Sequence, residues 1–477
     1  MEYLNLFTHI IIVMMLGWYM ITNLQWYNYK LQRVVLKHHK QQWHIVYFVT
    51  PIVFYYILPT NYFYIYFYLL FTTSFVLWNK NLDKPLVLTA RVKRFLGLLL
   101  LITFAIDALV IASQSHHLGL FLPLFITWGV TTILEKLFFI RYKANAKEYL
   151  KTFEDMKIVA ITASYGKTSM KNYLFQVLSK KYKTYMTPRS VNTIGGIVKD
   201  VNHDLPKDTQ VYIAEAGARE QGDILEITQF LEPQYAIIGS VGEQHLEYFK
   251  TLDNIIYTKM EILQSPRLKH GFVHNSVPIL SYDTITTFPD SLQITRSDLH
   301  GIWFDLEIDS KKEHFHAPVL GSFNAINLTA VILMAKKLGM SIDEIKIALD
   351  TLKPVEHRLH LSKAAGKLIL DDSFNGNLEG MLEAIQIAST HEGRKVIVTP
   401  GIVESTMEAN VKLANTIDEV FDLVIITGSL NQKLFEKTIT KHKPIILKDK
   451  TQLQTILAEQ THVGDLILFA NDAPNFI

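Results

Sequence analysis

The chain is 477 residues long, enough for two or three domains, and its formal net charge at pH 7 is only +2. It therefore lacks the strongly basic domain of a nucleic-acid binder. Cysteine is absent, which excludes disulfides, thiol catalysis and thiolate zinc sites.

Apolar residues make up 49% of the chain, and the excess sits before residue 142. Five apolar runs there read as transmembrane helices: 4–24, 43–58, 62–78, 95–113 and 120–140. The second and third fall short of the roughly 20 residues that a spanning helix needs, and Pro59-Thr60-Asn61 between them reads as the turn of a helical hairpin. Trp18, Trp26, Trp43 and Trp78 lie near the ends of these runs, where aromatic rings anchor at the membrane interface.

Charge bias then gives an orientation. Lys30, Arg33, Lys37 and Lys40 follow the first run, Lys80, Lys84, Arg91, Lys93 and Arg94 follow the third, and Arg141, Lys143 and Lys147 follow the fifth. The loops 59–61 and 114–119 carry no Lys or Arg. By the positive-inside rule the N-terminus faces outward and everything after residue 141 is cytoplasmic, as expected of a multi-pass protein of the inner (cytoplasmic) membrane, in contact with membrane lipid. Asp107 falls inside the fourth run. An intramembrane carboxylate is a functional candidate by default; the alternative is a helix–helix hydrogen bond.

From Met156 onward apolar strand-like runs (157–161, 211–214, 235–238, 368–370, 395–398 and 423–426) alternate with helical stretches. That alternation predicts mainly parallel α/β sheets. A break near Lys353-Pro-Val-Glu-His-Arg358 divides the remainder into two α/β domains, a P-loop-type one over 150–355 and a Rossmann-like C-terminal one over 356–477.

The run Ile158-Val-Ala-Ile-Thr-Ala-Ser-Tyr-Gly-Lys-Thr-Ser169 is a short strand, a tight turn and a helix start. Backbone N–H groups of Ser164, Tyr165 and Gly166, and the helix N-terminus behind them, would face an anion. Lys167 would reach β- and γ-phosphates, and the hydroxyl of Thr168 or Ser169 would face Mg²⁺. Glu215 lies just beyond an apolar strand, where a carboxylate can hold Mg²⁺. His245 ends another strand, and Lys259 sits in a helical stretch, by default on a solvated face.

In their order and spacing these elements resemble the Mur ligases, the ATP-dependent amide-forming enzymes of peptidoglycan precursor synthesis. The resemblance runs over about 156–470. It includes Thr187-Pro-Arg-Ser-Val-Asn-Thr193, Gly217-Ala-Arg-Glu-Gln-Gly-Asp223, Gly321-Ser-Phe-Asn-Ala-Ile-Asn327, Pro354-Val-Glu-His-Arg-Leu359 and Asp371-Asp-Ser-Phe-Asn-Gly-Asn377. The branch most similar in these runs adds D-alanyl-D-alanine to UDP-N-acetylmuramoyl-tripeptide.

The resemblance implies ATP and Mg²⁺ and an acyl-phosphate that an amine attacks. It implies that Lys167 holds the β- and γ-phosphates, that Thr168 and Glu215 bind one Mg²⁺, and that His245 helps bind a second. Lys259 would be carbamylated to N6-carboxylysine, supporting that second metal. Asn324 and Asn327 would meet the nucleoside, and Arg358 and Asp372 would close on the nucleotide. The partners implied are a UDP-muramoyl-peptide and D-Ala-D-Ala or a similar amine donor.

Four departures stand out. Ala163 takes the place of the loop's usual first glycine, Asn192-Thr193 stands for paired asparagines, and Phe469-Ala-Asn-Asp-Ala-Pro-Asn475 lacks a basic ending. Apolar runs also replace the usual UDP-binding N-terminal domain. Either the basic 80–94 loop supplies the UDP contacts or the acceptor is lipid-linked or polymeric. The alternatives are therefore another membrane-associated ligase of this kind, such as a poly-γ-glutamate synthase, and, from a different class, a transport ATPase.

Overall fold

The computed structural model describes the chain apart from residues 1, 37, 39, 83, 114–118, 190, 243–248, 280–282, 374–376, 403–404, 448 and 472–477. Residues 1–144 and 145–477 form two compact units.

Among the described residues three helices, all beginning in the first unit, are long and apolar enough to cross a membrane: Tyr3–Trp26, Ala90–Ala112 and Phe121–Lys151. They fall at three of the five runs expected to span. The other two runs are helical over 42–57 and 60–80, but each contains a π-helical stretch, Ile45–Val49 and Tyr66–Phe71. Both irregularities have local causes. Pro51 has no N–H for the Tyr47 carbonyl, and Thr72 Oγ1 donates to the Phe67 carbonyl five residues back at 2.8 Å. Ile12, Leu16, Phe67 and Leu99 fill the interior of this unit, and Gly17 lets its helix approach Leu99 where any Cβ would collide. Asp107 is buried there with its Oδ2 3.1 Å from His9 Nδ1, so it makes the helix–helix hydrogen bond.

The second unit contains two six-stranded sheets. The first has the order β2-β3-β1-β4-β5-β6, built from β1 (Lys157–Thr162), β2 (Thr184–Met186), β3 (Val211–Glu215), β4 (Tyr235–Ile238), β5 (His270–His274) and β6 (Ile285–Phe288). All its pairings are parallel. The central strands are apolar on both faces, as a sheet covered on both sides requires. The helix Lys167–Leu178 and the helix Ser322–Lys337 pack into one core with Val159, Ile161 and Ile213.

An antiparallel three-stranded sheet follows: β7 (Gln293–Asp298), β8 (Gly301–Ile308) and β9 (Lys311–Ala317). It escaped the sequence reading because β7 is largely exposed and polar. The second six-stranded sheet has the order β10-β11-β15-β12-β13-β14. Its strands are β10 (His360–Ala364), β11 (Lys367–Asp372), β12 (Lys395–Thr399), β13 (Leu423–Thr427), β14 (Ile445–Leu447) and β15 (Leu466–Ala470). Among the described residues only the edge strand β10 runs antiparallel. The two mainly parallel sheets are those the β/α alternation predicts.

Candidate active site

The carboxyl ends of β1, β3 and β4 lie level with one another, with Ile161 opposite Glu215 and Thr162 opposite Ile238. The crevice beyond such strand ends is where parallel α/β sheets bind ligands. The chain leaves β1 through Ala163–Gly166 and enters its helix at Lys167; Gly166 has φ +79°. The loop after β4 braces this turn. Ser164 N donates to the Ser240 carbonyl at 2.8 Å, and Ser164 Oγ donates to the Gly242 carbonyl at 3.0 Å. Tyr165 lies against Gly242, whose added Cβ would stand 2.9 Å from the ring. Ala163, at the position where a phosphate loop usually has its first glycine, is buried with its methyl against Gly239. The extra methyl is thus accommodated by a glycine across the loop.

Asn327 reaches the same turn from the helix Ser322–Lys337, with Asn324 bonded to it from behind. Asn324 Nδ2 donates to the Leu320 carbonyl at 2.7 Å, and Asn327 Nδ2 donates to Asn324 Oδ1 at 3.1 Å. The Asn327 amide rests on Gly166 so closely that a Cβ there would collide with Oδ1. Gly166→Ala combines that clash with a left-handed backbone, so it should destabilise the protein by about 1–3 kcal/mol and weaken nucleotide binding. Urea denaturation and an ADP titration would check both effects.

Glu215 is the last residue of β3, rather than just beyond it, and is 1% exposed. Its Oε2 accepts from Thr168 Oγ1 at 3.1 Å and its Oε1 from Asn192 Nδ2 at 3.1 Å. Thr168, rather than the neighbouring buried Ser169, is therefore the hydroxyl that meets the carboxylate. Lys171 Nζ is 3.3 Å from the same Oε2 and also donates to the Arg189 carbonyl. The Glu215 N–H donates to Thr187 Oγ1 at 3.2 Å.

Lys167 Nζ donates to the Ala163 and Ser164 carbonyls at 2.6 and 3.0 Å. Desolvation lowers its pKa to about 8, Arg358 pushes the same way, and Glu215 opposes both. Lys259 is 4% exposed, not on a solvated face. Its pKa falls to about 7, first through burial and then through the charge of Lys167, against Glu215 and Glu261. Arg358 is also held below its usual range by burial, while Asp372 and Glu215 favour its charge. Asp372, at the end of β11, accepts from the Leu359 N–H at 3.2 Å. Thus Lys167, Lys259, Arg358, Glu215 and Asp372 share one electrostatic neighbourhood. His245 lies outside the described residues, as does the run 374–376.

Lys167, Lys171, Lys259 and Arg358 gather around Glu215, with Glu261, Asp200 and Asp372 each acting on one of them. A cluster of basic side chains at the phosphate-binding turn suits a polyanion. The oxygens of Glu215 and Thr168 are hard donors, as Mg²⁺ requires, and Mg²⁺ bound beside phosphates uses only one or two carboxylates. Among the described residues no three His, Asp or Glu side chains converge, so phosphate oxygens would complete such a site. Sequence reading missed Lys171. The signal was present in the four-residue spacing from Lys167, which puts both lysines on one helix face.

Residues 161–335 match the Mur ligase middle domain. The chain is 27% identical over 353 residues to the UDP-N-acetylmuramoyl-tripeptide–D-alanyl-D-alanine ligase of Bacillus subtilis, covering 68% of this chain and 74% of that protein. It is also 27% identical over 275 residues to the enzyme of that name from Escherichia coli, covering 53% and 59%. The MurF ligase from Thermotoga maritima in complex with ADP shares the fold with a TM-score of 0.59 at 24% identity, over 70% of this chain and 80% of that one. The UDP-N-acetylmuramoylalanyl-D-glutamyl-2,6-diaminopimelate–D-alanyl-D-alanyl ligase from Acinetobacter baumannii gives a TM-score of 0.62 at 23% identity, over 70% and 76%. The middle-domain match falls on the strands and helices that build the site described above.

Proposed function

We propose that the chain is an ATP-dependent ligase that joins D-alanyl-D-alanine to UDP-N-acetylmuramoyl-tripeptide, working at the cytoplasmic face of a membrane. The observation that carries this reading is the meeting of Lys167, Thr168 and Glu215 at the ends of β1 and β3. The likeness in sequence to ligases of that name supplies the substrates. In this reading 1–142 is the membrane region, 150–355 the ATP-binding domain and 356–477 the C-terminal domain.

A tripeptide carboxylate oxygen bonds to the γ-phosphorus of ATP, the bond to the β-phosphate oxygen breaks, and ADP leaves. The amine of D-alanyl-D-alanine then attacks the acyl carbon; the C–N bond forms, phosphate leaves, and the amine gives up its proton. Charge accumulates on phosphoryl oxygens in the first step, where fixed cations stabilise it most. Lys167 and Arg358 supply that charge from this chain. Glu215 and Thr168 would hold Mg²⁺, which screens the β- and γ-phosphates when bound. Asn324 and Asn327 hold the nucleotide side of the turn, and Asp372 orients the segment carrying Arg358 through the Leu359 N–H. Lys259, with a pKa near 7, holds enough neutral amine to take up CO₂ as N6-carboxylysine beside a second metal, with His245 as its other protein partner.

Phosphate release from ATP by detergent-solubilised protein tests this reading. Release should require both UDP-muramoyl-tripeptide and D-alanyl-D-alanine, with a new amide detected by mass. Release independent of both would overturn the substrate assignment. The apolar helices Tyr3–Trp26, Ala90–Ala112 and Phe121–Lys151 favour one second reading, in which the acceptor is lipid-linked or polymeric, as for a poly-γ-glutamate synthase.

A further inference from the structure

Lys171 is fully buried, an expensive place for an ammonium, and the reaction scheme above gives it no part. It sits one helical turn beyond Lys167. Its Nζ lies 3.3 Å from Glu215 Oε2, the oxygen that also meets Thr168, and it donates to the carbonyl of Arg189. Arg189 has φ +44°, a left-handed conformation that a non-glycine residue adopts only when its surroundings hold it there. Two strands away from the phosphate loop, Thr187 and Asn192 bind the Glu215 backbone and its other carboxylate oxygen. Thr187 and Asn192 therefore hold the carboxylate from one side, and Lys171 ties the strained Arg189 between them to it.

We propose that Lys171 is a positioning residue that serves as the built-in counter-charge of the metal ligand. It holds Glu215 aimed at Thr168, and its charge weakens the hold of the site on Mg²⁺, so that the metal and the spent nucleotide can leave. This rests on the reading of Glu215 as a Mg²⁺ ligand. The sign follows from Coulomb's law. A fixed positive charge beside the ligand opposes a dication, and a buried carboxylate deprived of its cation is left uncompensated.

The test is Lys171→Gln, which keeps a donor for Arg189 and Glu215 but removes the charge, in the full-length solubilised protein. Binding of a fluorescent ADP analogue is followed as Mg²⁺ is titrated, alongside the melting temperature with and without Mg²⁺ and ADP. The variant should melt lower than the parent when unliganded, gain more on adding Mg²⁺ and ADP, and reach half-saturation at a Mg²⁺ concentration at least about threefold lower. A purely structural role would lower the melting point without tightening Mg²⁺ binding. An unchanged or raised Mg²⁺ requirement in the variant, with normal dependence in the parent, overturns the inference alone. Loss of Mg²⁺ dependence in the parent itself overturns the metal reading and this inference together. If Lys171→Gln does not fold, Lys171→Gln/Glu215→Gln removes the stranded charge and must recover the fold; failure to recover it overturns the inference.

Discussion

Replacing Lys167 with alanine should abolish ligation, lowering turnover by at least about 10³-fold, or some 4 kcal/mol of transition-state stabilisation. The side chain donates to two carbonyls of its own turn, so its amine stands within the curl of backbone that would receive the phosphates. Its pKa of about 8 belongs to a site without phosphate; a polyanion beside it restores the charge, so the ammonium form is the one that meets the transferring group. Removing it leaves the strand, the turn and Gly166 in place, and stability should change by no more than about 1 kcal/mol, because two carbonyl contacts are lost while an unfavourable desolvated charge goes with them. Phosphate release and amide formation would measure the first effect, and circular dichroism with a urea titration the second. Ligation at parental rates by Lys167→Ala would remove the phosphate-loop assignment.

The strand-turn-helix around Lys167 was legible because its chemistry is local. Glycine, lysine and threonine in succession, a short turn after the apolar run Ile158–Ile161, specify backbone and side chain locally. The parallel strands were legible for a similar reason, since strands buried on both faces read as unbroken apolar runs. What stayed hidden depends on residues far apart in the chain. Nothing in the residues around Asn192 says that its amide reaches Glu215 across the sheet, and the burial of Lys259 follows from helix docking rather than from its neighbours in sequence. The polar strand β7 carries no apolar alternation strong enough to mark it. In the first unit, hydropathy located the helical runs but not the π-helical stretches, which arise where single backbone hydrogen bonds are displaced.

Lys259 gives the second large effect, and its sign depends on what is attached to the nitrogen. As an unmodified ammonium it adds a fourth cation to Lys167, Lys171 and Arg358 and repels any dication; as a carbamate it carries a negative charge at the same place. The modification forms a C–N bond between the neutral amine and CO₂ and releases a proton to solvent. At fixed CO₂, carbamylation should therefore rise with pH through about 7, where the buried amine loses its proton. Lys259→Arg, which keeps the positive charge but cannot take up CO₂, should lose at least about 10²-fold in turnover, as much as Lys259→Ala. Parental protein stripped of CO₂ should lose activity and regain it on adding bicarbonate, with a carbamate carbon visible by NMR from ¹³C-labelled CO₂. Near-parental turnover in Lys259→Arg would sink the carbamate reading. Stability offers an independent check. Unfolded, the amine holds its proton up to its ordinary 10.5; folded and unmodified, only up to about 7. Between those values the unfolded chain binds more protons, so the CO₂-free protein should gain stability as pH rises across that window, and Lys259→Met should flatten that part of the profile.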